Sequence, residues 1–115
     1  MAMLFGSIAR RSSTSRTGSS FLEQMIQAVW NKAVVVSGAD PNILRKDVCG
    51  AWIRRSEYGK TTENGSGWEI DHIQPVSSDG ADVIGNLQPL QWQNNREKGD
   101  KWPVFPMQYA KVVAK

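Results

Sequence analysis

The only histidine of the chain, His72, directly follows Asp71 and is followed by Ile73 and, one residue on, Pro75. Further along come Asn86-Leu87, then Asn94-Asn95, with Lys98 one turn beyond. These residue types suit phosphodiester hydrolysis, which needs an activated water, in-line attack and stabilised charge on the phosphoryl and leaving oxygens. An imidazole with an unperturbed pKa near ~6.5 is neutral at working pH and can accept a proton from water. A carboxylate at Asp71 supplies a hard anionic oxygen suited to Mg²⁺ or Mn²⁺, and an amide at Asn95 adds a neutral oxygen. Two such ligands leave coordination positions for water and substrate. Lys98 or Arg96 is placed to hold a phosphate. Taken singly, each residue has an ordinary role: a hydrogen-bonded histidine, a surface carboxylate, turn or cap asparagines. Their conjunction carries the reading.

Trp68 and Ile70 alternate with Glu69 and Asp71, which predicts a strand over 68–73. Pro75 ends regular pairing. Residues 77–86, rich in Gly, Asp and Ser, predict a loop. Leu87 to Leu90 predicts a second, antiparallel strand with Pro89 at an edge. A helix is expected from Gln91 to Lys98, stopped by Gly99. Neighbouring strand residues point to opposite faces, so Asp71 and His72 can address one phosphate only if the strand bends or ends there.

Upstream, Ser20-x-x-Glu23 reads as a capping box, and Leu22, Met25, Ile26, Val29, Trp30 and Ala33 follow at helical spacing. A scaffold helix is expected over 20–33. Val34 to Val36 suggests a short extended piece, 37–41 a loop, Cys49-Gly50 a tight turn and Ala51-Trp52-Ile53 a strand start. Lys46, Arg54 and Arg55, interleaved with Trp52 and Tyr58, form a candidate phosphate-facing surface, although aromatics in such a setting commonly serve packing. The tail after Trp102-Pro103 is expected to hold a short helix from Met107 and to pack through Phe105 and Tyr109.

With 115 residues the chain has room for one domain. Residues 1–19 are Ser-, Thr-, Gly- and Arg-rich with no acid and predict a flexible basic tail, leaving 20–115 as the domain, with its core motif at 68–101. No apolar run approaches the roughly 20 residues that span a bilayer, so no membrane role is expected. The net charge of +3 is unevenly spread: residues 61–90 contain five acids and no Lys or Arg, and basic segments lie on both sides. An acidic centre between basic arms suits a cation site that must approach a polyanion. The single Cys49 excludes an intramolecular disulfide and a cysteine-based zinc cluster. A reducing, cytoplasmic setting is expected, with an organellar transit segment as the lesser alternative.

The residues Asp71-His72-Ile73-x-Pro75, Asn86-Leu87-Gln88-x-Leu90 and Asn95-x-x-Lys98 resemble the motif of HNH endonucleases, the ββα-metal nucleases. The strong part of the resemblance covers about a third of the chain. It implies a small α+β domain of ββα-metal type with an N-terminal scaffold helix, cutting DNA, with RNA as the lesser alternative, by means of one divalent cation. It implies His72 as general base, Asp71 and Asn95 as metal ligands, and Asn86 as the residue that orients the loop behind the base. Two departures matter. Asn95 stands where many members have His, which favours Mg²⁺ or Mn²⁺ over Zn²⁺. The positions of a structural zinc knuckle are Lys46, Cys49, Gln91 and Asn94, so no structural zinc is expected, and Trp52, Trp68, Trp92 and Trp102 are expected to support the fold instead. The competing reading is a non-catalytic nucleic-acid-binding or partner module on the same fold. A homodimer or a targeting partner is compatible with either.

Overall fold

The computed structural model describes residues 13–113. Among the described residues two α-helices and two small antiparallel sheets form an α+β arrangement. In order these are α1 (Glu23–Trp30), β1 (Leu44–Lys46), β2 (Trp52–Arg54), β3 (Trp68–His72), β4 (Leu87–Gln91) and α2 (Trp92–Lys98). β1 pairs with β2, and β3 pairs with β4. The last three elements are the predicted strand, strand and helix, each within a residue or two of its expected bounds.

α1 buries Ile26, Val29 and Trp30, the residues at helical spacing in the sequence, against Ile53, Trp68, Ile70 and Leu87. Trp30 and Trp68 meet with ring centroids 5.4 Å apart, and Tyr58 meets Trp68 edge-on at 4.9 Å. Tyr58 therefore packs. The helix is shorter than expected and its capping box does not form. Its N-cap is Leu22, without a side-chain cap, because Ser20 is bridged to Thr14 and Glu23 is drawn to Arg55. Val34 does form an extended piece, bridged to Lys46.

Of the expected tail, residues 1–12 lie outside the described residues, while 13–20 lie against the domain. Thr14 is buried, and Ser13 Oγ accepts from Ile70 N at 2.8 Å. Gly59 N donates to Trp68 O, so the edge of β3 away from β4 is partly paired.

The expectation that tryptophans replace the zinc knuckle needs correction. Trp68 is in the core, but Trp102 is exposed and Trp52 and Trp92 only half-buried. The knuckle's place is taken by the Asp47 carboxylate, 1% exposed. Its Oδ1 accepts from Cys49 N (2.9 Å) and Ala51 N (2.8 Å), and its Oδ2 from Gln91 N (2.9 Å) and Asn94 Nδ2 (3.1 Å). One anion thus ties the β1–β2 turn to the junction of β4 and α2. Gly50, at φ 90°, supplies the left-handed position that this turn needs. Asn94 Oδ1 in turn accepts from Lys111 N and Val112 N, both at 2.7 Å, and fixes the chain's later part. Phe105, expected to pack, is 73% exposed, whereas Tyr109 is buried; a 3₁₀ turn at Pro106–Gln108 stands where a short helix was expected. Only one ring of that tail reaches the core.

Candidate functional site

β3 alternates as the sequence requires. Trp68 and Ile70 face the core under α1, and Glu69 and Asp71 face α2. The strand meets the helix in two rungs. Asn95 Nδ2 donates to Glu69 Oε1 (2.9 Å), and Lys98 Nζ reaches Asp71 Oδ1 (3.2 Å). Three helical residues rise about 4.5 Å and two strand residues about 6.7 Å, a mismatch that flexible side chains absorb.

Asp71 is buried, and its second oxygen accepts from Gln88 Nε2 (2.9 Å), its cross-strand partner. Burial pushes its carboxyl above the ordinary aspartate value, while the Lys98 ammonium and the Gln88 amide pull it back. Lys98 is only 2% exposed and also donates to His72 O (3.0 Å), so the lysine expected at a phosphate lies inside, on Asp71.

Asn95 and Asp71 stand on adjacent rungs with no hydrogen bond between them. Glu69 takes the amide nitrogen of Asn95, which leaves Oδ1 as the atom available to a cation. Each oxygen of Asp71 retains one lone-pair direction beyond the one taken by its partner, Lys98 on Oδ1 and Gln88 on Oδ2. One carboxylate and one amide oxygen fit a hard cation that keeps most of its water. Among the described residues no group of three or more His, Cys, Asp or Glu is placed to hold a metal.

β3 ends at His72, which pairs with Leu87, and the imidazole leaves on the face opposite Asp71. It is 9% exposed, lies 6.1 Å from the Phe21 ring, and its Nε2 is 2.7 Å from Asp82 Oδ1. A phosphate touched by both Asp71 and His72 would therefore have to sit off the strand's end. Asn86 closes the intervening loop. Its Oδ1 accepts from Gln74 N (2.8 Å), and its Nδ2 donates to Gln74 O (3.1 Å) and Ala81 O (3.0 Å). Gly80 is required in the same loop, since a Cβ there would lie 1.7 Å from Gln74 O.

The expected nucleic-acid-binding residues are spread. Arg96 is half-exposed, holds Glu69 through Nε (3.2 Å) and Nη2 (2.7 Å), and lies over Trp92. Arg55 is engaged with Glu23 and Gln27. Lys46 lies over the Trp52 ring at 4.7 Å, and Arg54 is exposed. The register puts Lys46, Trp52 and Arg54 on one face of the β1–β2 hairpin, with buried Ile53 on the other.

Glu69, Asp82 and Asp47 are not among the residues expected at the site. Glu69 was detectable, because it precedes Asp71 by two on a strand and must share its face. Nothing local in the sequence marks Asp82 or Asp47: their partners come from loop closure and from distant elements.

Residues 48–101 match the family model described as HNH endonuclease, and this stretch of the chain is an HNH domain. The match spans the β3–β4–α2 unit together with the hairpin strand before it. HNH domains are of nuclease type and typically act on nucleic acid. No curated protein and no solved structure gives a significant match. Among the described residues no helix is long and apolar enough to cross a membrane.

Proposed function

We propose that the protein is a metal-dependent endonuclease that hydrolyses phosphodiester bonds in DNA. The observation that carries this reading is the strand end at Asp71-His72, with the Asn86-closed loop behind it and Asn95 on the adjoining helix, inside a segment that matches the HNH family.

In this reading His72 takes a proton from water. The resulting hydroxide attacks phosphorus in line, and the bond to the 3′ oxygen breaks on the opposite side. Asp71 and Asn95 would hold one divalent cation, Mg²⁺ or Mn²⁺, which would supply positive charge to stabilise the phosphoryl and leaving oxygens. Lys98 holds Asp71 in place from below. Asn86 keeps the loop behind the base from moving. In this reading Arg96 at the helix and Lys46 and Arg54, which share one face of the hairpin with Trp52, meet the DNA backbone, with Trp52 available for stacking.

The test is cleavage of supercoiled plasmid by the purified protein. Nicking is expected with Mg²⁺ or Mn²⁺ and none with EDTA. His72→Ala should lower the rate at least ~100-fold while DNA binding persists. Cleavage by His72→Ala at the parent rate would remove the base assignment. Salt-sensitive DNA binding without cutting, under every divalent metal tried, would favour the non-catalytic module instead.

A further inference from the structure

The geometry points to Asp82 as a positioning residue for His72: a loop carboxylate that fixes which imidazole nitrogen carries the proton and turns the other toward the reacting water. This deepens the nuclease reading and rests on it for the role of the imidazole.

Asp82 Oδ1 lies 2.7 Å from His72 Nε2. An ionised carboxylate can only accept, so Nε2 must be the N–H nitrogen, and in the neutral ring Nδ1 holds the lone pair. A base therefore acts through Nδ1. When that nitrogen takes a proton, the ring becomes a cation with an anion already at hydrogen-bond distance, which favours the charged product of the transfer.

The carboxylate is itself held. Arg16 N donates to Oδ1 (3.0 Å) and Oδ2 (2.9 Å), and Arg16 Nη1 donates to Gly80 O (2.9 Å) two residues earlier in the same loop. Asn86 Nδ2 fixes Ala81 O, the carbonyl directly before Asp82. The Phe21 ring flanks the imidazole. The segment before α1, the loop after β3 and Asn86 thus converge on one orientation of one ring. Asn86 was expected to orient the loop behind the base; through Ala81 and Asp82 that effect has a route to the imidazole itself.

Because His72 is the only histidine, its ring is the only imidazole signal in an NMR spectrum of the whole protein. Two readouts are combined on the wild type, Asp82→Ala and Asp82→Asn. The first is the ¹⁵N-resolved ring N–H. The wild type should show a protected proton on Nε2, Asp82→Ala should lose it to solvent exchange, and Asp82→Asn should keep it, since the amide oxygen still accepts. The second is single-turnover cleavage of a DNA duplex, measured together with duplex affinity. Asp82→Ala should cut at least ~10-fold slower with affinity within about twofold, and Asp82→Asn should fall between it and the wild type. A wild-type proton on Nδ1, a ring N–H unchanged in Asp82→Ala, or wild-type cleavage by Asp82→Ala would each overturn the inference. Circular dichroism of Asp82→Asn guards against loss of fold. If the wild type cuts nothing, the nuclease reading fails, while the ring N–H still decides the pairing.

Discussion

The Asp47 cluster gives the sharpest test of the physical reasoning, because two effects at one side chain have opposite signs. The carboxylate is buried and accepts four hydrogen bonds. Burial pushes its carboxyl above the ordinary aspartate value, and the four donors pull the other way. Asp47→Asn removes the charge, hence the desolvation cost, but keeps one accepting oxygen. That oxygen can serve Cys49 N and Ala51 N. The new NH₂ then faces Gln91 N and Asn94 Nδ2, two donors without an acceptor. A buried donor left unsatisfied costs about 1–3 kcal/mol, so two of them outweigh the relief of the charge by a net ~2 kcal/mol. For a domain of this size that lowers the melting temperature by roughly 8–16 °C. Asp47→Ala, which strands all four donors, should cost more, and Trp102→Ala, at an exposed ring, less than ~0.5 kcal/mol.

The measurement is thermal and urea unfolding at neutral pH. A melting temperature for Asp47→Asn equal to or above the wild type would show that burial of charge, and not the acceptor role, dominates at this site. The pH dependence has a definite sign. The folded carboxyl holds its proton more tightly than the unfolded one, so folding takes up a proton between the two values. The stability contributed by this group is therefore greatest below the ordinary aspartate range and falls as pH rises through the window up to the folded value. Asp47→Asn should remove that component.

Three further outcomes are expected. Lys98→Met should destabilise by about 3–5 kcal/mol in urea unfolding, because it leaves the buried Asp71 carboxylate without its cation; a change below ~1 kcal/mol would show that the pair carries little. Burial and the neighbouring Asp47 push the Cys49 thiol up to about 11, so its thiolate fraction at pH 8 is ~100-fold below that of an ordinary thiol. Labelling with a thiol reagent should be slow in the native protein and fast in denaturant, and equal rates would contradict the burial. Gly80→Ala must displace Gln74 O or move the loop, and it should reduce plasmid cleavage while lowering the melting temperature less than Asp47→Ala; parent-rate cleavage would contradict the role of the loop.

Much of the fold was legible because its signals are local. Alternation at 68–72, the glycine stop after Lys98 and helical spacing in 23–30 each reflect side-chain periodicity that a single segment must satisfy. The capping box at Ser20 does not form because its two residues have other partners, Ser20 in a bridge to nearby Thr14 and Glu23 in an ion pair with the distant Arg55. The tryptophans differ from expectation for another reason: a large apolar residue states a need for burial but not where the room is.

By itself the sequence determined which chemistry could be assembled: one imidazole, an adjacent carboxylate, and amides at spacings that a strand, a loop and a helix bring to one end of a two-stranded sheet. It also determined that cysteine could not staple the unit. Only the tertiary structure decided who touches whom. It put Lys98 on Asp71 and not at the surface, gave Asn95 to Glu69, set His72 against Asp82, and placed one buried aspartate where a zinc knuckle would stand. The physical reason is that a buried polar group must find a partner wherever the packed chain supplies one, and that partner is set by the meeting of distant segments.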